Sequence, residues 1–434
     1  MKHNLVERVL VGTLLVVAAG IVIHAPLTVW LGTVWPHQVQ FIKAWKEVLM
    51  GVALVLLIVA ATQRKQISTL LQDRLMQLAL VYAGLHFVLV AVYQNGLTQA
   101  GAGLLIDLRF VLYFVLVYGA LKLYPWYREL FVKVFAGGAV VVLLFSVLQQ
   151  FVLPRDFLTH IGYSKDTISP YLLVDENPTF VRINSTLRGP NPLGAYAVIV
   201  LSFLAAIAIR GSLKRRDWGF LGMAALAAGL TLGASYSRSA LIGAIVALLA
   251  VVAVSVSKRI RQKFGWSILA ATLVVIGGLY ALRGSEFVTN VILHDNPTTG
   301  ASVDSNAGHL SSVVDGLKLV ASEPFGNGVG STGSASLGGS EPLIIENQYL
   351  FVAHEAGWIG LGLFAWLYVE IMKRLYQRRR SMLALGVFAS GLGLAVVGLF
   401  LPVWVDDTVS IVWWGLAAIA VTGPIGGHRA RKGN

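Results

Sequence analysis

The sequence predicts an all-α fold, a polytopic transmembrane helix bundle of about 12 spans with a long, partly helical extracytoplasmic loop. Three observations predict it. Hydrophobic residues make up 56% of the 434-residue chain, charged residues 13%, and the mean hydropathy is +0.73. A soluble domain carries roughly 25% charged residues, about twice as many. Apolar runs recur along the whole length, and short Lys/Arg clusters separate them in alternation.

A bilayer core of about 30 Å takes about 20 apolar residues in a helix. Such runs lie near 9–30, 41–61, 75–93, 101–121, 131–153, 191–209, 218–234, 236–256, 266–282, 347–370, 382–401 and 407–423. An even number of spans puts both termini on one side. Of the 34 Lys and Arg residues, 24 fall on that side, among them Arg64-Lys65, Lys214-Arg215-Arg216 and Arg378-Arg379-Arg380. The basic side reads as cytoplasmic. The first run, Val9 to Val22, continues through Trp30 and Trp35 without a small-residue cleavage pattern, so it reads as a span and not as a cleaved signal. Residues 1–434 therefore read as one integral domain of the inner (cytoplasmic) membrane.

The net charge of +13 does not point to a nucleic-acid partner, because topology alone accounts for the basic clusters. The chain has no cysteine, which excludes a thiolate nucleophile and a Cys-based zinc site. Its nine histidines are scattered, with no His at i, i+4 beside an outer carboxylate cluster, so no metal is expected.

Two outer connections are long, 154–190 and 283–346. Loops beyond about 15 residues are usually functional or disordered. The second is acidic, with Glu286, Asp295, Asp304, Asp315, Glu323, Glu341 and Glu346 against Arg283 and Lys318. Within it, His309 to Ser322 places Leu310, Val313, Val314, Leu317 and Val320 at helical spacing, as an interfacial helix would.

The few outer cations are the informative ones. Arg182 and Arg188 precede the sixth span, and Arg238 opens the eighth. Guanidiniums converging at an interface suit a phosphate or pyrophosphate, which the planar fork binds bidentately; snorkelling or a loop ion pair is the plainer alternative. Lys43, Lys46 and Glu47 begin the second span and either add to an anion site or anchor the helix. Asp107 and Arg109 lie two apart in the fourth span, so they face different directions and each needs a partner elsewhere. Asp406 and Asp407 precede the last span and read as solvated turn carboxylates. The Gly-rich run from Phe325 to Gly339 lacks the Lys-Ser/Thr ending of a P-loop and reads as a flexible loop that lets backbone approach a ligand.

Taken together, Arg188-Gly-Pro-Asn-Pro-Leu-Gly194, Ser237-Arg-Ser-Ala240, and the stretch from His309 through Glu323-Pro-Phe-Gly-Asn-Gly-Val-Gly330 to Glu346-Asn-Gln-Tyr349 and Glu355-Ala-Gly-Trp-Ile-Gly360 resemble the O-antigen ligase and polymerase family. The resemblance spans about 180 to 360. It implies a membrane glycosyltransferase that moves a glycan from a polyprenyl-pyrophosphate carrier to a hydroxyl acceptor, with no cofactor, metal or nucleotide. Arg188 and Arg238 would stabilise the departing pyrophosphate and Glu346 would take the acceptor proton, at the position where the family usually has His. Arg182, His309, Asn191, Asn347, Tyr349, Lys43, Lys46 and Arg109 would contact substrate. The alternatives are a repeat-unit polymerase with two lipid-linked substrates, and a lipid-linked anion transporter or flippase. The missing internal repeat argues against a transporter.

Overall fold

The computed structural model describes residues 4–255, 281–286, 288–289, 305–339 and 342–424, with backbone alone for 305–310. Thirteen helices of ten or more residues organise the described chain, a number that treats each continuous α-helix separately. They are α1 (Leu5–Gly20), α2 (His24–Val34), α3 (Trp45–Gln63), α4 (Arg74–Tyr93), α5 (Leu97–Leu123), α6 (Arg128–Phe151), α7 (Pro190–Arg210), α8 (Arg215–Ser235), α9 (Arg238–Ser255), α10 (Ser305–Ser322), α11 (Gln348–Gln377), α12 (Met382–Val397) and α13 (Asp407–Val421). Among the described residues, nine helical stretches are long and apolar enough to cross a membrane, α1 and α2 forming one of them; α12 and α13 are shorter. Eleven of the expected runs coincide with these helices. The run at 266–282 lies almost wholly outside the described residues.

α1 and α2 are one apolar run interrupted at Ile21–Ile23. Pro26 explains the break: it has no N–H to return to the carbonyl of Val22, so the ladder is interrupted there. The interruption delivers His24 to the head of α2, buried at 8% exposure.

α13 is the axis of the bundle. Every residue from Thr408 to Val421 is buried. Its Trp413 and Trp414 sit edge-to-face at 5.5 Å between centroids, Tyr368 of α11 stacks on Trp413 at 5.3 Å, and Phe110 of α5 lies 4.9 Å from Trp414. At about 1.5 Å per residue α13 is only about 22 Å long. A helix enclosed by protein does not have to match the bilayer, whereas its enclosing helices do. Because protein surrounds its first turn, Asp406 and Asp407 are drawn into the bundle. This corrects their reading as solvated turn carboxylates.

The connection 154–190 contains a hairpin that hydropathy did not signal. β1 (Leu172–Val174) pairs antiparallel with β2 (Asn177–Arg182), Leu172 opposite Arg182. The turn residues Asp175 and Glu176 both have positive φ (50° and 56°), the twist a two-residue hairpin requires. The expected amphipathic helix forms as α10, but Val320 packs with Ile345 and Leu350 at the head of α11, and Trp358 donates to the Val320 carbonyl at 2.8 Å. Val314 and Leu317 stay exposed.

On the opposite face the helix ends are tied by a separate charge network. Arg374 pairs with Asp73 at 3.0 Å and Glu370 at 3.1 Å, Lys122 reaches Asp73 at 3.7 Å, and Arg64 reaches Glu7 at 3.9 Å.

Candidate active site

A cavity of about 670 Å³ opens between α2, α3, α5 and the head of α13, and both long connections reach it. Asp166, Thr167 and Arg188 come from the first and Ser334 from the second. Lys43, Lys46 and Arg109, three of the expected substrate contacts, line the same space as Arg188.

Local chemistry fixes the walls. Asp406 caps α13 by accepting from Val409 N–H at 2.9 Å, which points the next residue, Asp407, at α2 and α3. Asp407 Oδ2 then meets His24 Nε2 at 3.0 Å and Lys46 Nζ at 3.1 Å. Trp45 Nε1–H donates to His24 Nδ1 at 2.9 Å, so the neutral ring carries its proton on Nε2, facing Asp407. Lys46 also donates to the Lys43 carbonyl at 3.0 Å and pairs with Glu47 Oε1 at 3.2 Å. Arg109 lies 3.9 Å from the same Oε1 and donates through Nη2 to the Val405 carbonyl. Asp406 itself sits outside the spans, and burial and its neighbour Asp407 push its carboxyl up to about 6 against the pull of Arg188 and Arg109.

Lys43 and Arg188 differ from these buried groups. Both are exposed to the cavity, and neither side chain makes an ion pair or hydrogen bond among the described residues.

The other two outer arginines form a second cluster. Arg182 Nε donates to the Ser235 carbonyl at 2.9 Å and Nη2 to Asn191 Oδ1 at 2.6 Å, binding the hairpin to the α8–α9 corner. Burial and the charge of Arg238 pull its guanidinium down to about 10, still protonated at neutral pH. Arg238 does not line the cavity.

The Gly-rich loop packs into the bundle. Gly326, Gly328, Gly330 and Gly333 all have positive φ, between 68° and 86°. A Cβ on Gly330 would lie 2.4 Å from the Gln99 carbonyl oxygen, and one on Gly326 would lie 2.6 Å from Gly357 N. The backbone does approach closely, but what it approaches is α4, α5 and the kink of α11 at Gly357. Glu355 anchors the loop, accepting from Gly330 N–H and Thr332 N–H at 3.1 Å each, and its carboxyl is in hydrogen-bonding reach of Asp107.

Residues 223–365 match the family described as O-antigen ligase. The chain carries an O-antigen ligase domain. No curated protein matches the chain.

The matched stretch contains Arg238, the Gly-rich loop, Glu346 and Glu355, whereas Lys43, Lys46, Arg109 and Arg188 lie outside it. Glu346 is half-buried just ahead of α11 and does not line the cavity. It lies three residues beyond Leu343, whose carbonyl accepts from Gly333 N–H at 2.8 Å and from Ser336 Oγ at 3.0 Å, on either side of the cavity residue Ser334. Asn347 caps α11 through Tyr349 and Leu350 N–H and donates to the Leu399 carbonyl at 2.8 Å; Tyr349 donates to the Ala395 carbonyl at 2.7 Å. Both side chains are engaged in holding α11 to α12. His309 lies in α10, its side chain outside the described residues.

Sequence reasoning missed His24 and misread Asp407 as a solvated turn carboxylate. A signal existed: each is an ionisable residue inside or against an apolar run, where an unpaired charge is costly. Their meeting was not visible, because 383 positions separate them (407 less 24).

Proposed function

We propose that this multi-pass membrane enzyme of the ligase and polymerase type transfers a glycan from a polyprenyl-pyrophosphate carrier to a hydroxyl acceptor at the extracytoplasmic face of the inner membrane. The observation that carries the reading is the pair of uncommitted cations, Lys43 and Arg188, facing one cavity whose walls also hold Lys46 and Arg109. A pyrophosphate needs that arrangement, since fixed cations in a poorly solvated site stabilise the charge that builds as it leaves.

The acceptor oxygen forms a new bond to the anomeric carbon of the glycan. The bond from that carbon to the pyrophosphate oxygen breaks, and its electron pair leaves with the lipid pyrophosphate. Arg188 and Lys43 hold that product's oxygens, and Arg188 can do so with two parallel N–H bonds. Arg182 acts by holding the segment that carries Arg188, while Arg238 contacts the lipid phosphate from the neighbouring cluster. The acceptor approaches along the loop 333–346, and Glu346 takes its proton. Pyrophosphate is a good leaving group, so no metal is required.

The test is release of polyprenyl pyrophosphate by the detergent-purified protein supplied with lipid-linked glycan extracted from the source cells. Arg188→Ala is expected to slow release roughly 100-fold or more, with Arg188→Lys a poor rescue because the fork is lost. Glu346→Gln is expected to lose transfer to a similar degree while binding donor as the parent does. EDTA should leave the rate within about twofold. Parent-like turnover in the Arg188→Ala variant would remove the cavity from the reaction, and parent-like turnover in Glu346→Gln would move the base elsewhere.

A further inference from the structure

The described side chains of α10, from Ser311 to Ser322, fall on three sides. Val320 is buried and Val313 half-buried against a cluster with Ile345 and Leu350, and a Cβ on Gly316 would lie 3.1 Å from Leu350 Cδ1. That side is packed on the head of α11. Asp315 and Lys318, exposed and paired with each other at 3.0 Å, mark a polar side. At about 100° per residue, Val314, Leu317 and Ala321 fall on a flank between the two. All three are exposed, Leu317 by 54%.

The neighbouring helix says what covers that flank. In α11, which is long and apolar enough to cross a membrane, Trp358, Ile359, Trp366 and Val369 are exposed, and their spacing puts them on one side. That side faces lipid. Its depth follows from length: Trp358 stands 16 residues (374 less 358) from Arg374, which belongs to the charge network at the opposite face. Those residues span about 24 Å. Against a hydrocarbon core of about 30 Å, Trp358 lies near the edge of the bilayer, where tryptophan is favoured. At this level Trp358 donates to the Val320 carbonyl at 2.8 Å, and its backbone N–H donates to the Pro324 carbonyl at 2.9 Å. Phe325, 71% exposed, comes next. The apolar flank of α10 is therefore joined to the lipid-facing side of α11 at headgroup depth.

We propose that α10 is seated in the bilayer surface on the cavity's side of the membrane, with Val314, Leu317 and Ala321, and then Phe325, immersed among the lipids. A helix packed along one side, wet along another and apolar between them suits an interface, where the apolar part sinks about 5–10 Å. The seat holds the segment that leaves α10 at Ser322 and carries Ser334 to the cavity.

The experiment uses the full-length protein in vesicles of phosphatidylethanolamine and phosphatidylglycerol, with a nitroxide on one introduced cysteine; the chain has none of its own. Val314→Cys and Leu317→Cys report the flank, and Asp315→Cys the polar side. Collisions with oxygen, which concentrates in the bilayer, are compared with collisions with a water-soluble nickel chelate. The oxygen-to-nickel ratio is expected to be several-fold higher at 314 and 317 than at 315. Equal ratios at the three positions would show a helix held clear of the membrane and overturn the seat. Labels at 314 and 317 shielded from both reagents would mean that protein covers the flank, a second copy or another chain, and would overturn it as well. Phe325→Cys lies on a different segment and is expected to match 317. It decides the matter should an α10 variant fail to fold, because a ratio there as low as that of an aqueous label overturns the proposal.

Discussion

Asp406 and Asp407 show how strongly position decides what a residue does. In sequence they are two acids at a turn; in the fold one caps a buried helix and the other joins His24 and Lys46. Asp406 has the testable titration. Its carboxyl is raised to about 6, chiefly by burial and then by Asp407. An acid whose pKa is raised on folding contributes its stability at low pH, below its ordinary value near 3.8, and loses that contribution as pH climbs through about 6. Asp406→Asn keeps the capping oxygen and never ionises. The apparent Tm of the variant in detergent should therefore exceed that of the parent at pH 7.5, with the gap closing toward pH 4.5. Parallel Tm curves across that range would mean that Asp406 titrates as an ordinary aspartate. The pairings of Arg109 with Glu47 and of Lys46 with Asp407 were illegible for a plain reason: each joins two elements, and only packing brings them together.

At the scale of elements, helices were legible and irregular segments were not. A span of about 20 apolar residues announces itself. The hairpin at 172–182 has nine described strand residues, too few for a periodic signal, and its two αL turn residues are Asp and Glu instead of the Asn-Gly that marks such turns. The Gly-rich loop was recognised as permissive backbone, and the structure shows what the permission is for. Non-helical backbone within a helix bundle needs its polar groups satisfied by protein. Here Asn95 donates to the Asn327 carbonyl at 2.9 Å, Gln99 to the Gly330 carbonyl at 3.0 Å, and Glu355 accepts two N–H groups. Gly330→Ala would combine a φ of +82° with a Cβ 2.4 Å from the Gln99 carbonyl oxygen. Strain in φ alone costs on the order of 1–3 kcal/mol, and the backbone clash adds to it. The variant should show a clearly lower apparent Tm and reduced turnover, since the loop carries Ser334 to the cavity. Gly338→Ala, whose nearest contact would be an ordinary 3.8 Å, is the matched control. Equal melting of the two variants would show that the loop is free to move away from α5.

The whole molecule has two chemically different faces, and they set its expected orientation. On one face both long connections reach the cavity, through Asp166, Thr167 and Arg188 from the first and Ser334 from the second, so the described residues around Ser334 share a side with 154–190. On the other, Arg64, Lys122, Arg374 and Arg378 crowd the helix ends, the basic excess that marks a cytoplasmic face. An expected orientation was readable in sequence because Lys and Arg placement is a local signal. The convergence of the two connections was not, because it depends on how α2, α3, α5 and α13 pack. The absence of cysteine makes the orientation directly measurable. Single cysteines at the exposed positions Lys165 and Leu337 should react with a membrane-impermeant maleimide in spheroplasts. A cysteine at the exposed Ser212, one span away between α7 and α8, should react only after lysis. The opposite pattern would invert the protein and put its chemistry in the cytoplasm, where the proposed transfer to an extracytoplasmic acceptor fails. Labelling at Lys165 without labelling at Leu337 would break the shared face, and the cavity with it, because Ser334 could not then stand opposite Arg188.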